Sequence, residues 1–159
     1  MMRAFSLAAS DACAIRRRHC GLPRHTMIQS IDHIVITCKD LAATIDFYTR
    51  VLGMRLETFG EPPKPQRKAL RFGDQKFNLH QACDANVTDI YATVPTPGSL
   101  DICLIAAVPL DQLLVHLSRQ GIAVELGPVK RTGARWPIRS IYLRDPDRNL
   151  IEIAEPWCD

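Results

Sequence analysis

The sequence predicts an α+β fold: two tandem βαβββ modules, residues 31–83 and 99–156, whose mixed sheets curve around a cleft. Three observations carry that prediction. From Ile31 the chain passes twice through one order of elements, a strand, a helix and three strands. Corresponding residues keep a constant offset: His33 to Asp101 is 101 − 33 = 68 positions, and Gly53 to Gly121 is 121 − 53 = 68. Between the passes, residues 84–99 include Pro95, Pro97 and Gly98, which punctuate a linker. Repetition at a fixed period signals duplicated supersecondary units.

Each element has its own local reason. IDHIVITC alternates and is β-branched, the pattern of a half-buried strand. DLAATIDFYTRVLG sets Leu41, Ile45, Tyr48 and Leu52 at helical spacing and closes on Gly53, a C-terminal cap residue. MRLETFG, KALRFG and KFNLHQ read as short strands. The second pass opens with LDICLIAA and continues with the helix PLDQLLVHLSRQG, which has Pro109 near its first turn and Gly121 at its end. Strands IAVELG, IRSIYLRD and NLIEIAE complete it.

Side-chain parity then sorts the strands into faces. Ile34 and Ile36 pack toward the helix, so His33 points the other way. Phe77 and Leu79 pack inward, leaving Asn78 and His80 on the cleft side. In the fifth strand Leu100, Ile102 and Leu104 are core, and Asp101 and Cys103 face the cleft. The closing segment RDPDRNLIEIAE makes a turn at Pro146 and its flanking Asx residues, then sends Ile151 and Ile153 to the core. Glu152 between them either meets solvent on an edge strand or faces a cavity that compensates its charge. Four strands thus offer one polar cluster: His33, Asn78 or His80, Asp101 and Glu152.

Length and composition bound the function. At 159 residues with 47% apolar content, the chain is one ordinary domain that buries a core without staples. No apolar run reaches the roughly 18 residues a membrane-spanning helix needs. Cys13, Cys20, Cys38, Cys83, Cys103 and Cys158 are scattered and form no C-x-x-C pair, the usage of reduced thiols in an intracellular protein. Residues 1–26 carry five arginines against Asp11, a balance of 5 − 1 = +4, so the rest of the chain holds 3 − 4 = −1. A nearly neutral domain gives no electrostatic footprint for nucleic acid. The leader, residues 1–28, is Arg-rich, nearly free of acid and amphipathic if wound as a helix. That is transit-peptide composition and points to mitochondria; the alternative is a disordered tail before a start at Met27, with a cytoplasmic protein.

DHIVITCKDLAATIDFYTRVLGM and YLRDPDRNLIEI resemble the opening and closing motifs of the vicinal oxygen chelate superfamily, over residues 31–155. That superfamily includes glyoxalase I, fosfomycin-resistance transferases, methylmalonyl-CoA epimerase and extradiol dioxygenases. RKALRFGDQKFNLHQ, PGSLDICLI and GPVKRTGARWPIRSIYLRDPDRNLIE are similar to its branch called glyoxalase domain-containing protein 5. The resemblance implies a divalent cation (Mn, Mg, Fe, Ni or Zn) in the curved sheet. Carried over, its ligands match His33, Asn78, Asp101 and Glu152. Asp101 stands where the family commonly has His or Gln, and Asn78 where it often has Glu or Gln, so a site without bound metal stays open. His80 is a ligand, a general base or polar lining, and Glu152, if loosely held, is the base. The loop GPVKRTGARWPIRS with Arg131, Arg135 and Arg139, together with Tyr142, either clamps an anionic substrate or is a solvated charged loop.

Relatives of this length pair as two-fold homodimers. The expected cleft combines His33 and the Asn78/His80 strand of one subunit with Asp101 and Glu152 of its partner. Val35, Ile105 and Leu150 would be covered in the process. The implied function is that of a glyoxalase-I-like metal-dependent enzyme acting on a small substrate with vicinal oxygens, with lyase, isomerase and transferase chemistry all open. Its alternative is a non-catalytic small-ligand-binding module of the same fold.

Overall fold

A computed structural model of the chain describes residues 27–63, 65–83 and 90–157. The leader up to Thr26 lies outside the described residues, as do Cys13, Cys20 and Cys158. All regular elements belong to the unit Ile31–Asp159. The first module runs β1 (His33–Cys38), α1 (Leu41–Asp46), a π-helical segment (Phe47–Val51), β2 (Arg55–Phe59), β3 (Arg67–Phe72) and β4 (Gln75–Gln81). The second runs β5 (Asp101–Ile105), α2 (Leu110–Arg119), β6 (Leu126–Thr132), β7 (Pro137–Arg144) and β8 (Leu150–Pro156). The sheets have equivalent orders, β1-β4-β3-β2 and β5-β8-β7-β6. β1 pairs parallel with β4 and β5 parallel with β8, and the other pairs are antiparallel. The duplication predicted from the constant offset is therefore present. Gly53 and Gly121 even share a left-handed backbone, with φ of 69° and 70°.

Three local predictions need correction. The first helix buries Thr44, Phe47, Tyr48 and Val51, whereas the sequence pattern favoured Leu41, Ile45, Tyr48 and Leu52. Those other three residues flank the core, partly buried. The cause is the π-helical segment, whose wider turn rotates the stripe that meets the sheet. In the second module the strand expected at IAVELG starts only at Leu126, because Ile122 N–H donates back to Leu117 O at 2.9 Å and ends the helix. The arginine-rich segment expected as a loop is largely the β6–β7 hairpin, with irregular backbone only at residues 133–136. A bulge between Leu126 and Val129 bends that hairpin. Gly127 sits inside it with φ of 113°, and a Cβ there would strike Ser140 O.

The helix-covered faces of both sheets meet in one core. Ile36, Phe77 and Leu79 of the first sheet join Ile141, Ile151 and Ile153 of the second, with Tyr48, Leu110 and Leu117 from the helical segments. The opposite sheet faces are left uncovered. Val35 is 47% exposed and Ile105 56%.

The turn RDPDRN is more than punctuation. Asp145, Asp147 and Asn149 are all buried. Asp145 Oδ1 accepts from the backbone N–H groups of Asp147 and Asn149, both at 2.9 Å. Its Oδ2 accepts from Asn149 Nδ2 at 2.7 Å and from Tyr48 Oη at 3.1 Å. Asp147 takes the Lys39 N–H at 3.1 Å, and Asn149 Oδ1 takes the Leu100 N–H at 2.8 Å. Each bond satisfies a group that would be costly to bury alone. Tyr48→Phe, which keeps the volume and loses one bond, should cost about 1 kcal/mol in urea denaturation. Asp145→Ala, which strands several donors, should cost about 3 kcal/mol or more. Equal midpoints for Asp145→Ala and the parent would show that the network does not support the fold.

Candidate functional site

Pairing register places Glu152 at the centre of the uncovered face of the second sheet. Cys103 lies opposite it on β5 and Tyr142 opposite it on β7. Glu152 is half-buried, and its Oε1 is buried without a hydrogen-bond partner. A carboxylate in that position wants a donor or a cation. Its neighbours respond to its charge. The Cys103 thiol is pushed up to about 11, first by burial and then by the Glu152 carboxylate. Burial also raises Tyr142, with Glu152 adding to the shift and Arg131 opposing it. Arg131 Nε donates to Tyr142 Oη at 3.0 Å, and its guanidinium lies 5.5 Å from the ring centroid.

Beside this group opens a cavity of about 700 Å³, walled by the tip of the β6–β7 hairpin. Gly133 N–H donates to Trp136 O at 3.1 Å, which holds the tip closed. A Cβ on Gly133 would sit 2.6 Å from that oxygen. Trp136, Ile138 and Ile105 give the cavity apolar walls, and Glu152, Arg131 and Tyr142 give it polar ones. Apolar walls with a few convergent polar groups suit a small organic ligand. Ser140, fully buried on the same face, has an Oγ without a partner.

The uncovered face of the first sheet carries the other candidates. His33 is exposed, and its Nδ1 bonds Asp32 Oδ1 at 2.6 Å. That contact lowers the Asp32 carboxyl and leaves Nε2 as the ring's outward nitrogen, the orientation that a carboxylate gives to metal-binding imidazoles. Asn78, paired with Val35, is 9% exposed, and its Oδ1 lacks a partner. His80 pairs with Thr37, two side-chain rows from the row of His33.

His33 and Asn78 therefore share one sheet face, and Asp101 and Glu152 share the other. One chain does not bring the four together. Among the described residues no three His, Cys, Asp or Glu side chains converge as a metal would require. The physical reason is the common core, which turns the helix-covered faces toward each other and leaves the candidate faces on the outside. Arg131 and Tyr142 line the cavity as expected. Arg139 does not, because it shares parity with Ile141 and Leu143 and points to the helix side. There it bonds Asp111 at 2.5 Å and Glu155 at 3.1 Å. Trp136 was missed because its segment read as a loop.

Residues 30–153 match the Glyoxalase/Bleomycin resistance protein/Dioxygenase superfamily. The chain belongs to that superfamily. Its curated relatives include Glyoxalase domain-containing protein RDO1 of Mycosarcoma maydis, 51% identical over 82% of this chain and 70% of that protein. Virulence protein STM3117 of Salmonella typhimurium is 47% identical over 81% of this chain and 85% of that protein. The crystal structure of STM3117 superposes with a TM-score of 0.76, covering 83% of this chain and all of the other, at 45% identity. A structure from the mobile metagenome of V. pseudocholerae gives 0.77 at 41% identity, covering 84% and 98%. The two-module superfamily fold is thus the fold of this protein.

The donors present fit a divalent metal as two half-sites. Orphaned acceptors stand at the centre of each, Asn78 Oδ1 and Glu152 Oε1. The set of one imidazole, one amide and two carboxylates suits hard or borderline cations. The coupling of Cys103 to Glu152 can be measured directly. Glu152→Gln removes the charge that helps keep the thiol protonated, so the Cys103 pKa should fall and its thiolate fraction at pH 8.5 should rise. Alkylation of the Cys103 peptide by iodoacetamide, followed by mass spectrometry, should then speed up several-fold. An unchanged rate would separate the two side chains.

Proposed function

We propose that this superfamily member is a divalent-metal-dependent enzyme of the glyoxalase I type, acting on a small substrate with vicinal oxygens. One observation supports this above the others. The uncovered face of each sheet holds a donor pair with a buried, unpartnered oxygen, and neither pair is a complete site. His33 and Asn78 of one copy would meet Asp101 and Glu152 of a second copy in a homodimer with two equivalent clefts. Covering Val35 and Ile105 would favour that pairing. A divalent cation held by these four residues would supply polarisation of the substrate's vicinal oxygens. The chain's own residues would do the rest. Glu152, where the cation holds it loosely, would take the proton from the substrate carbon. Neutral Tyr142 and Cys103 would flank that carboxylate as donors, and Arg131 would fix the Tyr142 hydroxyl. Trp136 and Ile138 would exclude water from one wall. His80 would line the far end of the cleft.

A second reading has its own support: the cavity on the second sheet is formed within a single chain. Its apolar walls and Arg131 could hold a small ligand without turnover or metal.

Metal titration by calorimetry separates the two. His33→Ala and Glu152→Ala should each abolish binding of Mn²⁺ or Zn²⁺ and leave the circular dichroism unchanged, since neither residue is in the core. Mixing these two variants should restore one complete cleft per heterodimer and leave the other with neither ligand. Full metal affinity in both single variants would overturn the enzyme proposal and favour the ligand-binding one. For location, the Arg-rich leader supports mitochondrial import. Residues 1–28 fused to a fluorescent reporter should enter mitochondria, and diffuse signal would defeat that assignment. Among the described residues, no helix is long and apolar enough to cross a membrane.

A further inference from the structure

The uncovered face of the first sheet gathers cations. Register sets Lys76, Arg71 and Arg55 in the row of His33, and it pairs Arg67 with Phe59 further along. Among the residues of these four strands Glu57 is the sole acid. Arg71 pairs with it directly. That bond above all, with help from the charges of Lys76 and Arg55, holds the Glu57 carboxyl below the usual range. Three cations, Arg71, Lys76 and Arg55, thus act on Glu57, and Lys76 and Arg71 also act on Asp32, which precedes β1 and bonds His33. Lys76 Nζ lies 4.4 Å from the Phe59 ring centroid and the Arg67 guanidinium 4.9 Å from it. Lys76 therefore reaches from β4 across β3 to β2. The floor beneath is small and dry: Ala69 is 0% exposed, and Asn78, beside it in register, carries the orphaned Oδ1.

Glu57 and Asp32 offset only part of this positive charge. Like charges held together repel, and stacking on one aromatic ring offsets only part of that cost. An arriving anion would relieve it. Arg55 and Arg71 are built for two-pronged contacts with carboxylate or phosphate, and Lys76 adds a point charge. The amide of Asn78 offers both an acceptor and donors to whatever rests on the floor.

We propose that this cup binds the anionic end of a small molecule, a carboxylate or phosphate carried next to a hydroxyl. The anion sits among Arg55, Arg71 and Lys76, and in the metal-free chain the hydroxyl donates to Asn78 Oδ1. This names the charge of the substrate for the cleft proposed above, and rests on that reading for the cup's place in a ligand site; the cup itself belongs to one chain.

The test is an NMR titration of the ¹⁵N-labelled full chain, without metal, using glycolate, acetate, inorganic phosphate and neutral glycolamide as probes. Glycolate or phosphate should saturate shifts at the Asn78 side-chain amide and at the Arg55 and Arg71 Nε resonances, and glycolamide should not. Tighter binding of glycolate than of acetate reads the hydroxyl. Comparing glycolate with phosphate identifies the preferred anion. Arg71→Gln and Lys76→Gln should each weaken binding about tenfold, while Arg119→Gln, on α2, should leave it unchanged. Because Arg71→Gln also releases Glu57, Lys76→Gln is the decisive variant. Shifts spread evenly over exposed basic residues without saturation, or parental affinity in Lys76→Gln, would overturn the proposal. The metal titration fails or succeeds separately. Saturation at Asn78 in a chain that binds no metal leaves the cup and removes the enzyme; metal binding with no anion response removes the cup alone.

Discussion

One buried carboxylate, Asp145, holds this architecture together. The two sheets share a core but no strand ladder, so nothing in the backbone pairing fixes one module against the other. Side-chain bonds supply that fixation: Asp145 takes the Tyr48 hydroxyl from the first module while ordering its own turn, His116 Nε2 bonds Val51 O, and Arg50 donates to Gln120 Oε1. Asp147 extends it to Lys39 of the first module, and Asn149 ties the turn to Leu100 at the start of its own module. Where β8 begins, and hence where Glu152 points, follows from this turn. An apolar core tolerates small slips because its contacts are non-directional. Hydrogen bonds in a dry setting do not, since each misplaced donor is left unpaired.

The register adds a symmetry that no single strand reveals. Val35 pairs with Asn78 as Cys103 pairs with Glu152, one row beyond His33 and Asp101 respectively. The donor pair His33/Asn78 thus occupies the same sheet position in the first module as Asp101/Glu152 in the second. Duplication kept the place and changed the charge. Two copies of the second face brought together would crowd four carboxylates, and two copies of the first would crowd its arginines and lysines. In the homodimer proposed above, Asp101 and Glu152 of one copy would face the basic first sheet of the other.

Much of this was legible in the sequence. The constant offset of 68 between modules, the alternation in IDHIVITC and the caps at Gly53 and Gly121 each rest on local chemistry that tertiary context did not override. Parity alone placed His33, Asn78, Asp101, Cys103 and Glu152 on the uncovered faces. Arg139 went astray because it was counted with the arginine-rich loop although it lies in the strand IRSIYLRD, where parity sets it on the face opposite Tyr142. The π-helical segment was hidden for another reason: a widened turn leaves no mark in apolar spacing, and the buried stripe moved to Phe47 and Val51. The buried role of the RDPDRN turn was invisible because its partners, Tyr48, Lys39 and Leu100, lie far away in the chain.

The non-covalent bond between the modules has a further consequence. Among the described residues, 90–99 of the joining segment lie in no strand, and Tyr48 and Lys39 of the first module grip the turn of the second whether or not the linker is continuous. Cut within the linker, the chain becomes two fragments, each with its own helix and sheet and each with half of a common core still to cover. Their reunion would rest on that shared core and on the hydrogen bonds of the turn, with no need of a peptide link between them.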